Sequence, residues 1–307
     1  MAEFYQKITA QEPLHRIKTA QLGGVWAHAG TKAAIDELAR HYELDPHIVR
    51  DVCDERELAR MENNGHATYV FFRKLTREYD GHAISAPILA VLLPDALITM
   101  SPHTAFNPGA LGDELVPTTD KPASVLTVVL GTLVTQYEQH IHDINEKIKK
   151  LRNRLRTHEV SNDDFIMFVS IDDNLNHYHQ NLDGLLAVMR RLRENQQVGF
   201  TAHDIEVIDD ISLHIEQLVV AIKSASQTVS SIQNAYSTIA NNRLNHRMKA
   251  LTVFTVLLTL PNVFYGMFGM NVSLPYQEEP WAYTAIVGLT GVLIVVIYAI
   301  AKRLRLF

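Results

Sequence analysis

The stretch ALTVFTVLLTLPNVFYGMF, residues 250–268, carries no Asp, Glu, Lys or Arg, and neither does the stretch at residues 280–301. The first supplies about 19 apolar-dominated residues and the second, from Trp281 to Ala301, about 21. A helix rises about 1.5 Å per residue, so each is long enough to cross roughly 30 Å of hydrocarbon. Two crossings, at residues 250–268 and 281–301, joined by a short loop at 272–280, predict a transmembrane hairpin.

The charges around the hairpin orient it. Arg243, Arg247 and Lys249 precede the first span, and Lys302, Arg303 and Arg305 lie in the basic tail at 302–307. The connecting loop has neither Lys nor Arg but contains Glu278 and Glu279. Because basic residues stay on the cytoplasmic side, both ends of the hairpin are expected there. Over all 307 residues the net charge is −6 and the mean hydropathy −0.02, an average that hides this split. Met1-Ala-Glu-Phe-Tyr-Gln-Lys shows no basic start followed by an apolar run, so the first 249 residues are expected in the cytoplasm. The lone Cys53 cannot form an internal disulfide or a thiolate cluster, which suits a reducing compartment. A weakly acidic chain without Lys/Arg clusters interleaved with aromatics gives no footprint for nucleic acid.

Upstream of the hairpin, residues 1–120 mix strand-like runs at 67–74, 86–93 and 96–99 with helical stretches at 31–42 and 46–60, which predicts an α/β subdomain. From Pro122 the pattern becomes helical to about residue 158, restarts after the cap-like Ser161-Asn-Asp-Asp and runs to about 196. An antiparallel helical pair over 121–199 is expected, with the basic stretch 147–156 as a solvated face. After Gly199 neither Gly nor Pro occurs until Pro261. One stalk helix is therefore expected to continue into the first span, the whole segment covering 200–271.

That helix carries two faces. Ile208, Ile211, Ile215, Leu218, Ile222, Ala225, Val229, Ile232, Tyr236 and Ile239 recur three and four residues apart, as in a packed coiled coil. Offset from them is an uncharged polar row: Ser224, Gln227, Ser231, Asn234, Thr238, Asn241 and Asn245. Met248, Thr252, Thr255, Thr259, Asn262, Gly266 and Gly269 extend it through the span. Small and hydroxylated residues in a span can mark tight helix packing. A seam that continues about seven turns below the membrane fits a water-filled pathway lined by several copies of one helix better.

The span ends in Leu260-Pro-Asn-Val-Phe-Tyr-Gly-Met-Phe-Gly-Met-Asn-Val, with Gly269-Met270-Asn271 just before the acidic loop. With Asn245-His-Arg-Met-Lys-Ala-Leu-Thr upstream, the basic C-terminus, Gly24-Val-Trp-Ala-His and residues 34–52, this resembles the CorA family of magnesium and cobalt channels over most of the chain. The resemblance implies an α+β cytoplasmic domain with long helices and a two-helix hairpin, assembled as a funnel-shaped homopentamer in a bacterial or archaeal cytoplasmic membrane. It implies that Asn271 meets the hydrated ion, Gly269 and Met270 complete the turn, and Asn245, Met248, Leu251, Thr255, Thr259, Asn262 and Gly266 line the path. Asn262 stands where the family frequently has Thr, and Leu260 precedes the proline, which bears on ion preference.

The activity implied is passage of Mg²⁺, with Co²⁺ and Ni²⁺, driven by membrane potential and gated by intracellular metal. A zinc transporter of the related branch, with or without proton coupling, is the alternative. Asp209 and Asp210 are either solvated helix charges or an intracellular metal sensor, while Glu278 and Glu279 either keep the loop in water or concentrate cations at the mouth. His140/His142 and His177/His179, two apart on a helix, point about 200° from each other and cannot share an ion. His-Glu-x-x-His, phosphate-cradling glycine loops and Gly-x-Ser-x-Gly are missing, so no enzyme and no cofactor is expected, only the transported cation, lipid and other copies of the chain as partners.

Overall fold

The structure is a computed structural model that describes residues 2–18, 24–79, 81–111, 115–157, 162–195, 197–270 and 279–303. Its elements are β1 (Glu3–Gln6), β2 (His15–Ile17), β3 (Val25–Ala29), α1 (Lys32–His41), α2 (Pro46–Asp51), β4 (Arg60–Asn64), β5 (Ala67–Tyr79), β6 (His82–Leu93) and β7 (Ala96–Met100). Then follow four long helices: α3 (Pro122–Thr157), α4 (Asn162–Glu194), α5 (Ala202–Phe268) and α6 (Ala282–Arg303). Two compact units divide within α5, Met1–Ile232 and Gln233–Phe307.

The first unit is built on a seven-stranded sheet in the order β2-β1-β3-β7-β6-β5-β4. Every neighbouring pair is antiparallel except β3 with β7. Alternation along the central strands sorts side chains to two cores, as a period of two requires. Ile88, Ala90 and Leu92 of β6 face α3, α4 and α5, while Leu89, Val91 and Leu93 face α1 and α2. Val70 and Phe72 of β5 join the first core, and Tyr69 and Phe71 the second. Burial on both faces explains why these strands read as near-continuous apolar runs.

Short polar residues set the helix starts. Thr31 accepts from the Ala34 amide to cap α1, and Asp45 accepts from His47 and Ile48 to cap α2, with Pro46 in the first turn. At α5, Thr201 and Asp204 cap reciprocally: the Asp204 amide donates to Thr201 Oγ1 at 3.2 Å and the Thr201 amide donates to Asp204 Oδ2 at 2.9 Å. Burial opposes the charge on Asp204, but donors from Thr201 and Ser124 outweigh it and hold its carboxyl below the usual range.

The helix expected over residues 46–60 is a correction: α2 stops at Asp51. Cys53, Asp54 and Glu57 donate backbone bonds three residues back, Asp54 Oδ1 takes the Arg56 amide, and β4 starts at Arg60. An Asp that captures its own local backbone competes with helical bonding. Arg60, over the Phe71 ring at 4.2 Å, then ties Asp51, Glu57 and Glu62 together.

The long helices α3, α4 and α5 pack on one face of the sheet. α3 and α4 are joined to the sheet by one core that includes Tyr137, Ile148, Phe168, Leu182 and Met189. The predicted apolar row of α5 is buried from Ile208 through Ile232, but Tyr236 is only half-buried and Ile239 is 42% exposed. Within the first unit α5 is therefore clamped along its first eight turns.

Gly24 supplies a test of the sheet's attachment. It adopts φ +69°, and a Cβ there would lie 2.6 Å from the Asp120 amide nitrogen. Gly65, at φ +61° in the β4–β5 turn, has open space around it. Gly24→Ala is expected to cost about 3 kcal/mol and Gly65→Ala about 1 kcal/mol. Thermal unfolding of the two variants checks the difference; equal shifts would show that the Asp120 contact is not tight.

Candidate functional site

The second unit contains the last turns of α5 and all of α6, and its burial is uneven. In the first span Val253 is buried, and Leu257, Leu260, Phe264 and Phe268 are half-buried. These residues recur at three and four positions and occupy one arc of the helix. On the second helix Ala282, Thr290 and Ala301 are buried. Tyr265 Oη lies 3.4 Å from Thr290 Oγ1, and the Thr290 hydroxyl reaches the carbonyls of Ile286 and Val287. A seam of apolar and small residues thus joins the two apolar helices.

The polar row lies on the other side. At about 100° per residue, Met248, Leu251, Thr252, Thr255, Thr259, Asn262 and Gly266 fall roughly 160–260° around the helix from Val253. All seven are exposed, Met248 at 54% and Leu251 at 58%. Asn245 is exposed as well. The row named from sequence is thus exposed, as are the apolar residues Phe254, Val256, Leu258 and Val263 on its flanks.

The hydroxyls on that face share one orientation. Thr252 donates to the Met248 carbonyl at 2.8 Å, Thr255 to Leu251 at 2.9 Å and Thr259 to Thr255 at 2.6 Å. Farther up the helix Ser231 and Thr238 donate to Gln227 and Asn234 in the same way. A hydroxyl has one hydrogen and two lone pairs. With the hydrogen committed to the helix, each oxygen presents only acceptor capacity outward. Water molecules on a cation point their hydrogens outward, so such a row is complementary to a hydrated cation and indifferent to an anion.

Pro261 lies inside α5 and removes the amide that would bond the Leu257 carbonyl. The helix ends after Phe268 with Gly269 donating to Tyr265 at 3.0 Å and Met270 to Met267 at 3.2 Å. A Cβ at Gly269 would stand 3.2 Å from the Tyr265 carbonyl oxygen, which favours glycine at this close approach. Asn271 and Glu278 lie outside the described residues. Glu279 precedes α6, its carbonyl accepting from the Ala282 amide at 3.1 Å.

Asp209 and Asp210 lie on α5 in the first unit. Asp209 is ion-paired with Arg193 at 2.9 Å, and Asp210 is exposed. Among the described residues no three His, Cys, Asp or Glu side chains gather as a metal-holding group. The Tyr265–Thr290 contact was not anticipated from sequence. Its one signal there is Thr290 between Gly288 and Gly291, a small-residue cluster in an otherwise bulky apolar span.

A mixed sheet packed under long helices, one of which becomes the first of two apolar hairpin helices with a polar outer face, defines a two-span membrane transport protein. The family model for CorA-like Mg2+ transporter proteins matches residues 23–303, and the chain belongs to that family of divalent metal transporters. Cobalt/magnesium transport protein CorA of Methanocaldococcus jannaschii is 21% identical over 261 residues, covering 81% of this chain and 80% of the relative. The complete structure of the CorA magnesium transporter from the same organism superposes with a TM-score of 0.81 at 17% identity, covering 99% of this chain and 98% of that one. The ZntB cytoplasmic domain from Vibrio parahaemolyticus has the same fold over 78% of this chain and 98% of its own, with a TM-score of 0.59 at 12% identity.

The two faces of the first span separate experimentally. Asn262→Leu is expected to reduce divalent-metal flux at least severalfold in a folded, assembled protein. Val253→Asn on the seam should instead lower thermal stability, by about 1–3 kcal/mol for a buried amide without partners. Metal uptake and melting of both variants check this, and unchanged flux in Asn262→Leu would place the pathway on another face.

Proposed function

We propose that this chain forms a Mg²⁺ channel in which several copies of α5 surround one pathway, their polar rows turned inward. The observation that carries the reading is the row of Thr and Asn groups opposite the hairpin seam, with its hydroxyl hydrogens bound to the helix itself. One copy cannot enclose a pore, and these groups would otherwise face hydrocarbon, so the reading requires an oligomer. Five copies is the number the family resemblance implies.

Hard oxygen acceptors suit Mg²⁺, which dehydrates reluctantly and is held through its water shell. Co²⁺ and Ni²⁺ would pass by the same contacts. Asn271, following the Gly269-Met270 turn, is proposed to meet the ion first, its carbonyl accepting from metal-bound water without the grip of a carboxylate. Glu278 and Glu279, repeated around a ring, would raise the cation concentration at the mouth. The basic residues flanking both spans support a cytoplasmic-membrane orientation with both termini inside, so an inside-negative potential would drive entry. Closure by intracellular metal at Asp209 and Asp210 is part of the proposal, the metal competing with Arg193 for Asp209.

Reconstituted protein tests the whole reading. Uptake of Mg²⁺ driven by an inside-negative potential is expected; Zn²⁺ uptake that depends on a pH gradient would favour the zinc alternative, and no flux would defeat both. Native mass measurement is expected to give a closed oligomer, with a monomer or dimer as the sole species sinking the pore. Asn271→Ala should slow Mg²⁺ entry, and Asn271→Asp should bind cations more tightly while slowing release. If both carried Mg²⁺ at the parent's rate and selectivity, the Gly-Met-Asn turn would not be the selective element.

A further inference from the structure

The carboxyl ends of β3 and β7 open a cleft that the ion pathway does not use. These strands are the parallel pair of the sheet, and the chain leaves them toward opposite faces. After β3 it turns through Gly30 and Thr31 into α1, which packs on the Leu89 face; after β7 it runs by way of Phe106 to α3, on the Ile88 face. Such divergence parts the connections above the strand ends and leaves a crevice, the usual position of a ligand in an open α/β sheet. The cleft has a volume of about 540 Å³, in the range of small-molecule sites, and Glu3, His28, Gly30, Thr31, Ser101 and Phe106 help to line it.

One polar group at this cleft has no partner. Ser101 is 1% exposed, and its hydroxyl is the one buried side-chain polar atom among the described residues without a hydrogen bond. The Ser101 amide donates to the Ala29 carbonyl at 2.9 Å, which carries the β3–β7 ladder one step past its last pair, Ala29 with Met100. Alternation then puts the Ser101 side chain on the face of Thr99 and His28, where the cleft lies. An orphaned buried hydroxyl costs stability unless something completes it.

The groups around Ser101 suit an anion. His28 is held through Nδ1, 3.0 Å from Thr99 Oγ1, which also accepts from the Trp26 indole at 3.1 Å. Its other nitrogen lies toward Gly30: a Cβ built there would stand 3.7 Å from His28 Nε2 and meet no other group within 4 Å. Burial lowers the His28 pKa, so the ring offers hydrogen bonding without charge. Thr31 Oγ1 accepts from the Ala34 amide and the Thr31 carbonyl from Ile35, so the Lys32 and Ala33 amides are the donors left open at the positive end of α1. The other ionisable groups of the cleft are committed. Glu3 pairs with Arg16 at 2.8 Å and accepts from the Tyr5 hydroxyl at 2.8 Å, while His103 lies 3.4 Å from Glu55 and 2.9 Å from the Cys53 carbonyl. Phe106, its ring 5.4 Å from that of His28, adds an apolar wall.

We propose that this cleft binds a small phosphate-bearing anion, its oxygens bonded by the Ser101 hydroxyl and the first amides of α1. Trp26 reports on it, because Trp26 and Trp281 are the two tryptophans of the chain and Trp26 is tied through Thr99 to His28. Full-length Trp281→Phe protein in detergent is titrated with potassium phosphate, with phenyl phosphate, and with potassium chloride at matched ionic strength. A saturating change in Trp26 emission is expected with both phosphates and not with chloride. Tighter binding of phenyl phosphate supports the proposal and assigns an organic phosphate held partly by Phe106; equal binding supports it and assigns free phosphate. Ser101→Ala should weaken binding by about tenfold, as for a lost hydrogen bond to a charged group. The melting temperature of ligand-free Ser101→Ala should stay level or rise, since no protein partner is lost. Gly30→Val fills the cleft beside His28 and should abolish the response while melting stays close to that of the parent. The proposal is overturned if neither phosphate gives a saturating change beyond chloride, or if both variants bind as the parent does. A lower melting temperature of ligand-free Ser101→Ala also overturns it, by showing that the hydroxyl has a partner within the protein. Emission is read without ion flux, so failure here is distinct from failure of the channel reading.

Discussion

Hydrocarbon offers no hydrogen-bond partners, and the rest of the molecule depends on how α5 meets that constraint. Its span contains three threonines and an asparagine on one face, opposite the residues that α6 covers. The threonines satisfy their donors internally, by bonding the carbonyl four residues back. That removes part of the cost of placing hydroxyls at membrane depth but leaves their acceptor sites, and the whole Asn262 amide, unmet. A single chain has nothing to cover them, because α6 is committed to the Val253 side. The polar face therefore calls for water, and water at that depth calls for an enclosure of several such faces.

The same shortage of partners appears nearer the sheet. α5 is anchored by the core from Ile208 to Ile232, where the α/β unit and the α3–α4 pair bury one side of it. Beyond Ile232 the cover ends, and from Ser237 to Lys249 every residue is exposed. A helical segment without tertiary contacts is marginal in water, since propagation barely outweighs entropy. Its apolar residues, Ile239 and Leu244 among them, are 42% and 58% exposed. Both the stalk and the span thus lack the neighbour they need, and one set of symmetry-related helices would supply both.

Much of this was readable from residues alone because it rests on periodicity. The spans show as two uncharged windows, the stalk as a run free of Gly and Pro, and the central strands as apolar runs at residues 67–74, 86–93 and 96–99 that became β5, β6 and β7. What escaped has a physical reason in each case. β1 and β2 are only four and three residues long, too short for alternation to register, and β3 is a buried pentapeptide whose Trp26 and His28 look unlike a strand core. The helix over residues 46–60 was overextended because Asp54, a local competitor for backbone bonds, outweighed the helical pattern around it. The polar row of α5 was legible as a pattern in the sequence, but the direction of its hydroxyl hydrogens was not. A helical threonine can take either of two rotamers, one of which adds a hydroxyl bond to the i−4 carbonyl that already accepts a backbone amide, and only coordinates show which is taken.

That direction bears on ion discrimination. A pathway lined by carboxylates would hold a divalent cation through ε-lowered Coulomb attraction strong enough to impede exit. Neutral oxygens that only accept leave the cation's charge to its own water and interact with that shell through ordinary hydrogen bonds. If the proposed pathway holds, such a row would read the polarisation of the shell's hydrogens, greatest on a small divalent ion, while anions, whose shells present oxygens outward, would find no donors on the threonines. Acidic residues are confined to the sequence outside the span, at Glu278 and Glu279, where they can enrich cations without trapping them. Under the proposed reading attraction and passage would be separated along the chain: charge would act where water screens it, and neutral acceptors where hydrocarbon does not.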